Sequence, residues 1–239
     1  MLALLRFNLR QLIGRHRWGA LSFWMVLALL PAGLATLGVA FAQDRVDRLE
    51  MSLGLFNDLT LALVLPVLAL LVASSLLREE IQNQTIVYLY LKPLARASLV
   101  LAPVAASSLV LLLLMALNLI SVSLVFQESR VMIFLMVGVV AVLAYGTFFT
   151  ALGLWMRRAV LWGLGYLLLW EGALGNLSRP ASFLSVRKYL LGFEQALLGN
   201  SSEIPMGTAL IVLGGIVVVS LGAAIWRLGR MEFEGESGS

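Results

Sequence analysis

Few residues of this chain could do chemistry, and no set of them forms a recognisable catalytic or metal-binding motif. Cysteine is absent and His16 is the single histidine, which excludes a thiol nucleophile, a zinc–thiolate site and a histidine metal cluster. The sequence has no Gly-x-x-x-x-Gly-Lys-Ser/Thr loop for nucleotide phosphates and no His-Glu-x-x-His zinc pair. We therefore expect no catalytic residue, no metal and no cofactor in the chain itself.

Glu171 stands out because it is the one formally charged side chain inside a long apolar run. A charge within a bilayer is costly, so the first expectation is that Glu171 lines a cavity or contacts cargo. The alternative is a position near the outer end of its helix, since it lies about 18 Å along a hydrocarbon core about 30 Å thick. Asn118, in another run, is expected to make a helix–helix hydrogen bond instead.

A polar break between two apolar runs, residues 78–96, is the second feature of interest. It reads REEIQNQTIVYLYLKPLAR, which is too apolar for a solvated loop, and Pro93 ends any helix that begins near Glu79. The residues that would share one face of such a helix are Ile81, Thr85, Tyr88 and Leu89. An isolated strand would have no partner. We predict a short helix parallel to the membrane that presents groups to a cytosolic partner.

The elements that position these residues are the helices predicted from six long apolar runs. Hydrophobic residues make up 61% of the chain and charged residues 13%, with a mean hydropathy of +0.96, well outside the range of soluble domains. About 20 apolar residues suffice to cross a bilayer. The runs are 19–41, 59–77, 97–126, 131–156, 159–177 and 204–226. We predict an all-α membrane protein with six spanning helices, the second of them kinked at Pro66.

Charge predicts how these helices are oriented. Eleven Lys and Arg residues flank the runs on the side of the chain ends and six on the other, so the positive-inside rule puts both termini in the cytoplasm. The same rule explains the net charge of +4 without a nucleic-acid partner.

Segments outside the runs are expected to lie at the membrane surface. Residues 1–18 have the pattern of an N-terminal amphipathic interfacial helix, or form a basic tail that sets topology. Residues 178–203 predict a short outer amphipathic helix or a re-entrant element. The predicted organisation is an N-terminal interfacial helix over residues 1–18, a transmembrane domain over 19–226 and a cytoplasmic tail over 227–239. Glycines at 207, 214, 215 and 222 lie on one face of the last helix, for packing within or between subunits.

The polar break resembles a known motif. An acidic residue after the second span, then a threonine, an aliphatic and aromatic stretch, and a Pro-x-x-Arg before the third span are similar to the permease subunits of type-2 ABC exporters. The residues that match are Glu79 or Glu80, Thr85, Leu89, Pro93 and Arg96. Gln84 and Pro103 depart from the usual glycine and lysine.

The resemblance implies an inner-membrane protein of a prokaryote that pairs with a second copy or a paralogue. Two cytosolic ABC-type ATPase subunits would bind ATP and Mg²⁺, and an amphipathic or lipid-like substrate would move outward. The residues implied in coupling to the ATPase are Glu79, Glu80, Thr85, Tyr88, Leu89, Pro93 and Arg96. The second and fifth helices would line the path, which implicates Pro66 and Glu171. Two alternatives are a non-transporting scaffold that anchors a cytosolic complex and an ion-coupled carrier.

Overall fold

The computed structural model describes residues 18–41, 48–82, 96–126, 130–156, 158–174 and 185–230. Within these ranges the chain is helical and contains no strand, which confirms the predicted all-α class. The α-helices are α1 (Trp18–Phe41), α2 (Arg48–Gly54), α3 (Leu65–Gln82), α4 (Arg96–Phe126), α5 (Val131–Trp155), α6 (Ala159–Gly165), α7 (Val186–Leu197) and α8 (Met206–Gly229). Two π-helical segments, Leu55–Val64 and Tyr166–Leu174, continue α2 and α6.

Five helical stretches in the described part are long and apolar enough to cross a membrane. They are Trp18–Ala40, Glu50–Ser74, Val100–Phe126, Val131–Trp155 and Met206–Gly229. The predicted fifth crossing begins at Ala159 as expected, but the structure describes it only to Leu174. That crossing, and with it the count of six, stays a prediction. The predicted interfacial helix at 1–18 lies outside the described residues apart from Trp18, which begins α1.

The second crossing helix begins earlier than its apolar run. Helical structure starts at Arg48 and continues through the first π-helical segment into α3, whereas the run begins at Leu59. The wide turns end beside Pro66: the N–H of Leu65 donates to the carbonyl of Thr60, five residues earlier. Because a proline ring collides with the carbonyl four residues before it in an α-helix, a change of pitch immediately before Pro66 accommodates the ring.

The core forms around α5, which packs against α3, α4, α7 and α8. Its Tyr145 and Phe149 are the largest of the fully buried side chains. Glycine permits the closest approaches to α3. A Cβ at Gly153 would lie 3.4 Å from the Cα of Ser74, and a Cβ at Gly163 of α6 would lie 2.3 Å from a methyl carbon of Leu70. These contacts hold α3 between α5 and α6.

Helix α1 lies at the edge of the bundle and packs mainly on α4. The residues it buries form one row: Trp24, Ala28, Pro31 and Ala35. Asn118 of α4 donates through Nδ2 to the carbonyl of Ala28 at 2.6 Å and accepts a hydrogen bond from the Thr60 hydroxyl at 3.3 Å. This confirms the prediction that Asn118 forms a helix–helix hydrogen bond.

A short helix lies within the segment for which an amphipathic or re-entrant element was predicted. Helix α7 begins after Ser185, whose hydroxyl accepts a hydrogen bond from the N–H of Lys188 at 3.4 Å, as an N-cap residue does. After α7 the chain reverses through Gly199, at φ +76°, a conformation that glycine adopts without strain, and enters α8. The position of α7 relative to a membrane stays a prediction.

Candidate functional site

The residues predicted to couple to an ATPase lie at the edge of the described structure or beyond it. Glu79 and Glu80 fall in the last turn of α3, and Arg96 is the first residue of α4. The residues between them that carry the motif, Thr85, Tyr88, Leu89 and Pro93, lie outside the described residues. The contacts of this segment therefore stay a prediction.

Glu171, by contrast, lies within a well-defined polar site. It belongs to the second π-helical segment and its side chain is only 4% exposed. The hydroxyl of Tyr145 donates to its Oε2 at 2.6 Å, and the hydroxyl of Tyr166 donates to its Oε1 at 3.0 Å. The backbone N–H groups of Val186 and Arg187 also donate to this carboxylate. Four donors thus surround one buried acid.

Local structure explains why these groups meet. Residues five apart lie one above the other on a π-helix, whose hydrogen bonds span five residues rather than four, so Tyr166 is directed at Glu171. The N–H groups at the start of α7 have no partners within that helix, and the helix dipole makes this end positive. A carboxylate is the natural group to bind there, and Glu171 supplies it from another helix.

Arg187 extends the site to the second crossing helix. Its Nη2 donates to Asp58 Oδ1 at 2.6 Å and to the carbonyl of Asn57 at 3.3 Å. The Asp58 side chain is 78% exposed, so water screens this ion pair and its contribution to stability is small. Its effect is geometric, because it attaches α7 to the first π-helical segment. We refer to Asp58, Tyr145, Tyr166, Glu171 and Arg187 together as the Glu171 cluster.

A second buried acid, Glu194, lies two turns beyond Arg187 on α7. It is 0% exposed, and both of its carboxylate oxygens lack a hydrogen-bond partner in the described part of the chain, as does Oδ1 of Asn57. Burial raises the pKa of Glu194 to about 7, and the side chain of Asn57 opposes this shift. Glu194 therefore takes up a proton near neutral pH, well above the usual range of a carboxyl group.

The arrangement makes Glu171 a structural tie in this conformation, because its oxygens are occupied by donors of the same chain. Pro66 is buried beside the first π-helical segment. Contact of Pro66 or Glu171 with cargo stays a prediction. Among the described residues no group of three or more acidic or histidine side chains could hold a metal ion.

Sequence reasoning missed several members of this site. Tyr145 could have been identified from the sequence, because a tyrosine in the middle of an apolar run needs a hydrogen-bond partner for its hydroxyl when it is buried. The ion pair of Asp58 and Arg187 could not have been identified from the sequence, because 129 residues separate the two side chains. Glu194 lies in the segment whose pattern predicts only an amphipathic or re-entrant element, and its burial depends on which face of α7 meets the bundle.

The crossing helices, their outward apolar faces and this buried polar cluster define a polytopic membrane protein. The sequence profile described as ABC-2 family transporter protein matches residues 16–172, from just before α1 to the middle of the second π-helical segment. The chain belongs to this family and is a permease subunit of an ABC transporter, as its sequence resemblance predicted. No curated protein matches the chain.

Proposed function

We propose that this permease works in an exporter. It pairs with a second copy or a paralogue, binds two cytosolic ATPase subunits through residues 78–96, and moves an amphipathic or lipid-like substrate outward. The observation that carries the proposal is the family match over residues 16–172, a range that includes that segment. ATP and Mg²⁺ bind in the ATPase subunits, and this chain hydrolyses nothing itself.

A mechanical route through α3 supports the coupling role. The helix ends at Gln82, immediately before the proposed docking segment, and its other end adjoins the π-helical segment that carries Asp58. Along its length α3 packs tightly on α5 and α6, with Gly153 and Gly163 at the closest points. Because close-packed helices transmit displacement rather than absorb it, a push near Gln82 reaches the Glu171 cluster.

Co-purification and transport test the proposal together. The chain is co-expressed with an ATP-binding cassette protein of the same organism, and the complex is reconstituted into vesicles. We expect Glu79→Ala/Glu80→Ala to reduce recovery of the ATPase and to abolish its stimulation by substrate. The matched control is Glu203→Ala, which removes a carboxylate that is 89% exposed from a different part of the chain. Full recovery and full coupling in the double variant would show that the docking segment is misassigned.

Transport is followed as ATP-dependent movement of a fluorescently labelled phospholipid from the ATPase side to the opposite leaflet. A complex that binds the ATPase but moves no amphipathic probe would indicate a scaffold. Movement that needs an ion gradient and no ATPase would indicate a carrier. Either result contradicts the exporter.

A further inference from the structure

The C-terminal ends of α5 and α8 form an aromatic and cationic cluster, the Trp–Arg cluster, made of Trp155, Trp226, Arg227 and Arg230. The two indole rings stack with centroids 5.8 Å apart and planes 14° from parallel. The guanidinium carbon of Arg230 lies 4.2 Å from the Trp226 ring centroid, and that of Arg227 lies 5.7 Å from the Trp155 ring centroid. Both cations are therefore held by aromatic faces.

The positive charge of this cluster is not neutralised within the described residues. The ion pairs found there involve Arg187 and Lys188, and neither arginine of the cluster has a carboxylate partner among those residues. The Nε of Arg227 is buried and has no acceptor in the part of the chain that the structure describes. Two cations and a buried N–H donor with no acceptor favour an anion beside the two indoles.

An open apolar face of α8 leads into the cluster. Gly215, Gly222, Trp226 and Arg230 follow one another at intervals of seven and four residues, so they share a face. A Cβ built at Gly214, Gly215 or Gly222 would meet nothing within 4 Å, and Val218 and Val219 are each 70% exposed. The glycine row is thus not used for packing within the described chain. From Gly215 to Trp226 it spans about 16 Å, close to half of a hydrocarbon core.

We propose that this face binds an anionic phospholipid, with the phosphate against Arg227 and Arg230 and an acyl chain along the glycine row. The dimensions match one leaflet, and the two positive charges match a headgroup of net negative charge better than a zwitterionic headgroup, whose own cation offsets its phosphate. A second copy of the chain fits the face less well. Around a twofold axis along the membrane normal it would bring the same two cations to the same level, where like charges repel.

Lipid titration of the purified protein tests this. Detergent-solubilised protein is titrated with phosphatidylglycerol and, separately, with phosphatidylcholine, and bound lipids are counted by native mass spectrometry. We expect the unmodified protein to prefer phosphatidylglycerol, and Arg227→Gln/Arg230→Gln to lose that preference by about fivefold for each arginine. The matched control is Arg158→Gln, an exposed arginine at the same end of α5; it is expected to leave the preference unchanged.

A second variant leaves both charges in place. Gly222→Leu fills the groove at a position where an added side chain begins in open space, so the fold is retained and binding of phosphatidylglycerol is expected to weaken. Four results would overturn the proposal: equal binding of the two lipids by the unmodified protein, an unchanged preference in the double variant, displacement of the lipid by millimolar inorganic phosphate, or a change from dimer to monomer in Gly222→Leu with lipid binding intact. The third would indicate a site for free anions and the fourth an interface between subunits.

Discussion

Removing the hydroxyl of Tyr145 tests whether the Glu171 cluster holds the bundle together. Tyr145→Phe keeps the ring, which is fully buried and stacks on Phe149 with centroids 6.1 Å apart, and deletes only the donor to Glu171. A hydrogen bond to a charged group contributes about 1.5–3 kcal/mol in soluble proteins, and side-chain hydrogen bonds between membrane helices contribute up to about 1.7 kcal/mol. Three donors to the carboxylate remain, so we expect a loss of about 1–2 kcal/mol.

The assay is a double-mutant cycle read by thermal unfolding of the protein in lipid nanodiscs. The cycle combines Tyr145→Phe with Glu171→Met, which removes the acceptor while keeping a side chain of similar length. We expect Tyr145→Phe to lower the melting temperature by several degrees in the natural background and to change it little when Met is at 171. The control is Thr147→Val on the same helix, whose hydroxyl donates to the carbonyls of Leu143 and Ala144 one turn earlier.

The cycle has a clear negative outcome. If Tyr145→Phe costs the same stability in both backgrounds, to within about 0.5 kcal/mol, the two side chains are energetically independent. The 2.6 Å hydrogen bond would then contribute nothing specific, and the cluster could not be the tie between α5, α7 and the second π-helical segment.

Three further predictions concern other contacts of the bundle. Gly163→Ala should destabilise the protein by about 1–3 kcal/mol because its Cβ would lie 2.3 Å from a leucine methyl of α3, whereas Gly165→Ala, which meets nothing within 4 Å, should not; equal melting temperatures would contradict this. Asn118→Leu should cost about 1–2 kcal/mol by removing the interhelical hydrogen bonds that Asn118 makes with the carbonyl of Ala28 and the hydroxyl of Thr60, while Ser123→Ala, whose hydroxyl donates to the carbonyl of Ile120 in the same helix, should be neutral. The pKa of Glu194 is raised by burial from 4.5 to about 7, so the folded state holds a proton that the unfolded state releases, and stability should fall by about 3 kcal/mol as pH rises from 4.5 to 7 and then level off. Glu194→Gln should remove this slope, and a slope that persists in melting temperatures measured across that pH range would refute the assignment.

The helices were predictable wherever the bilayer alone decides their extent. The run at 97–126 became α4 at Arg96–Phe126, and the run at 131–156 became α5 at Val131–Trp155, because a backbone in hydrocarbon must satisfy its own hydrogen bonds. The second crossing helix starts at Arg48, eleven residues before its run at 59–77. The run does not locate that start, because the residues from Arg48 to Asp58 mix polar and apolar side chains.

The site was only partly predictable, for a physical reason. Glu171 could be singled out because a charge in an apolar run is costly wherever it lies. Most of its partners could not be assigned, because Tyr145 comes from α5 and the backbone N–H groups come from the start of α7. The π-helical pitch that aligns Tyr166 with Glu171 is not indicated by any intrinsic preference of the residues in that segment. The burial of Glu194 could not be predicted for the same reason. An amphipathic pattern identifies the apolar and polar faces of a helix, but it does not show which neighbouring element packs on each face.

The single buried row of α1 has a consequence for how relatives of this chain would differ. Trp24, Ala28, Pro31 and Ala35 repeat at intervals of four, three and four residues, the 3.5-residue rhythm of helices that wind around one another with a left-handed twist. Ala20, Leu21 and Leu27 pack partly against the core, and a Cβ at Gly38 would meet the side chain of Met51. The positions of α1 that face away from the bundle need only be apolar. Across a diverged lineage we therefore expect those positions to drift freely among leucine, valine, methionine and phenylalanine, while the small residues at 28 and 35 resist enlargement. A sequence comparison that gives extra weight to these four buried positions would therefore detect distant relatives that overall sequence identity misses.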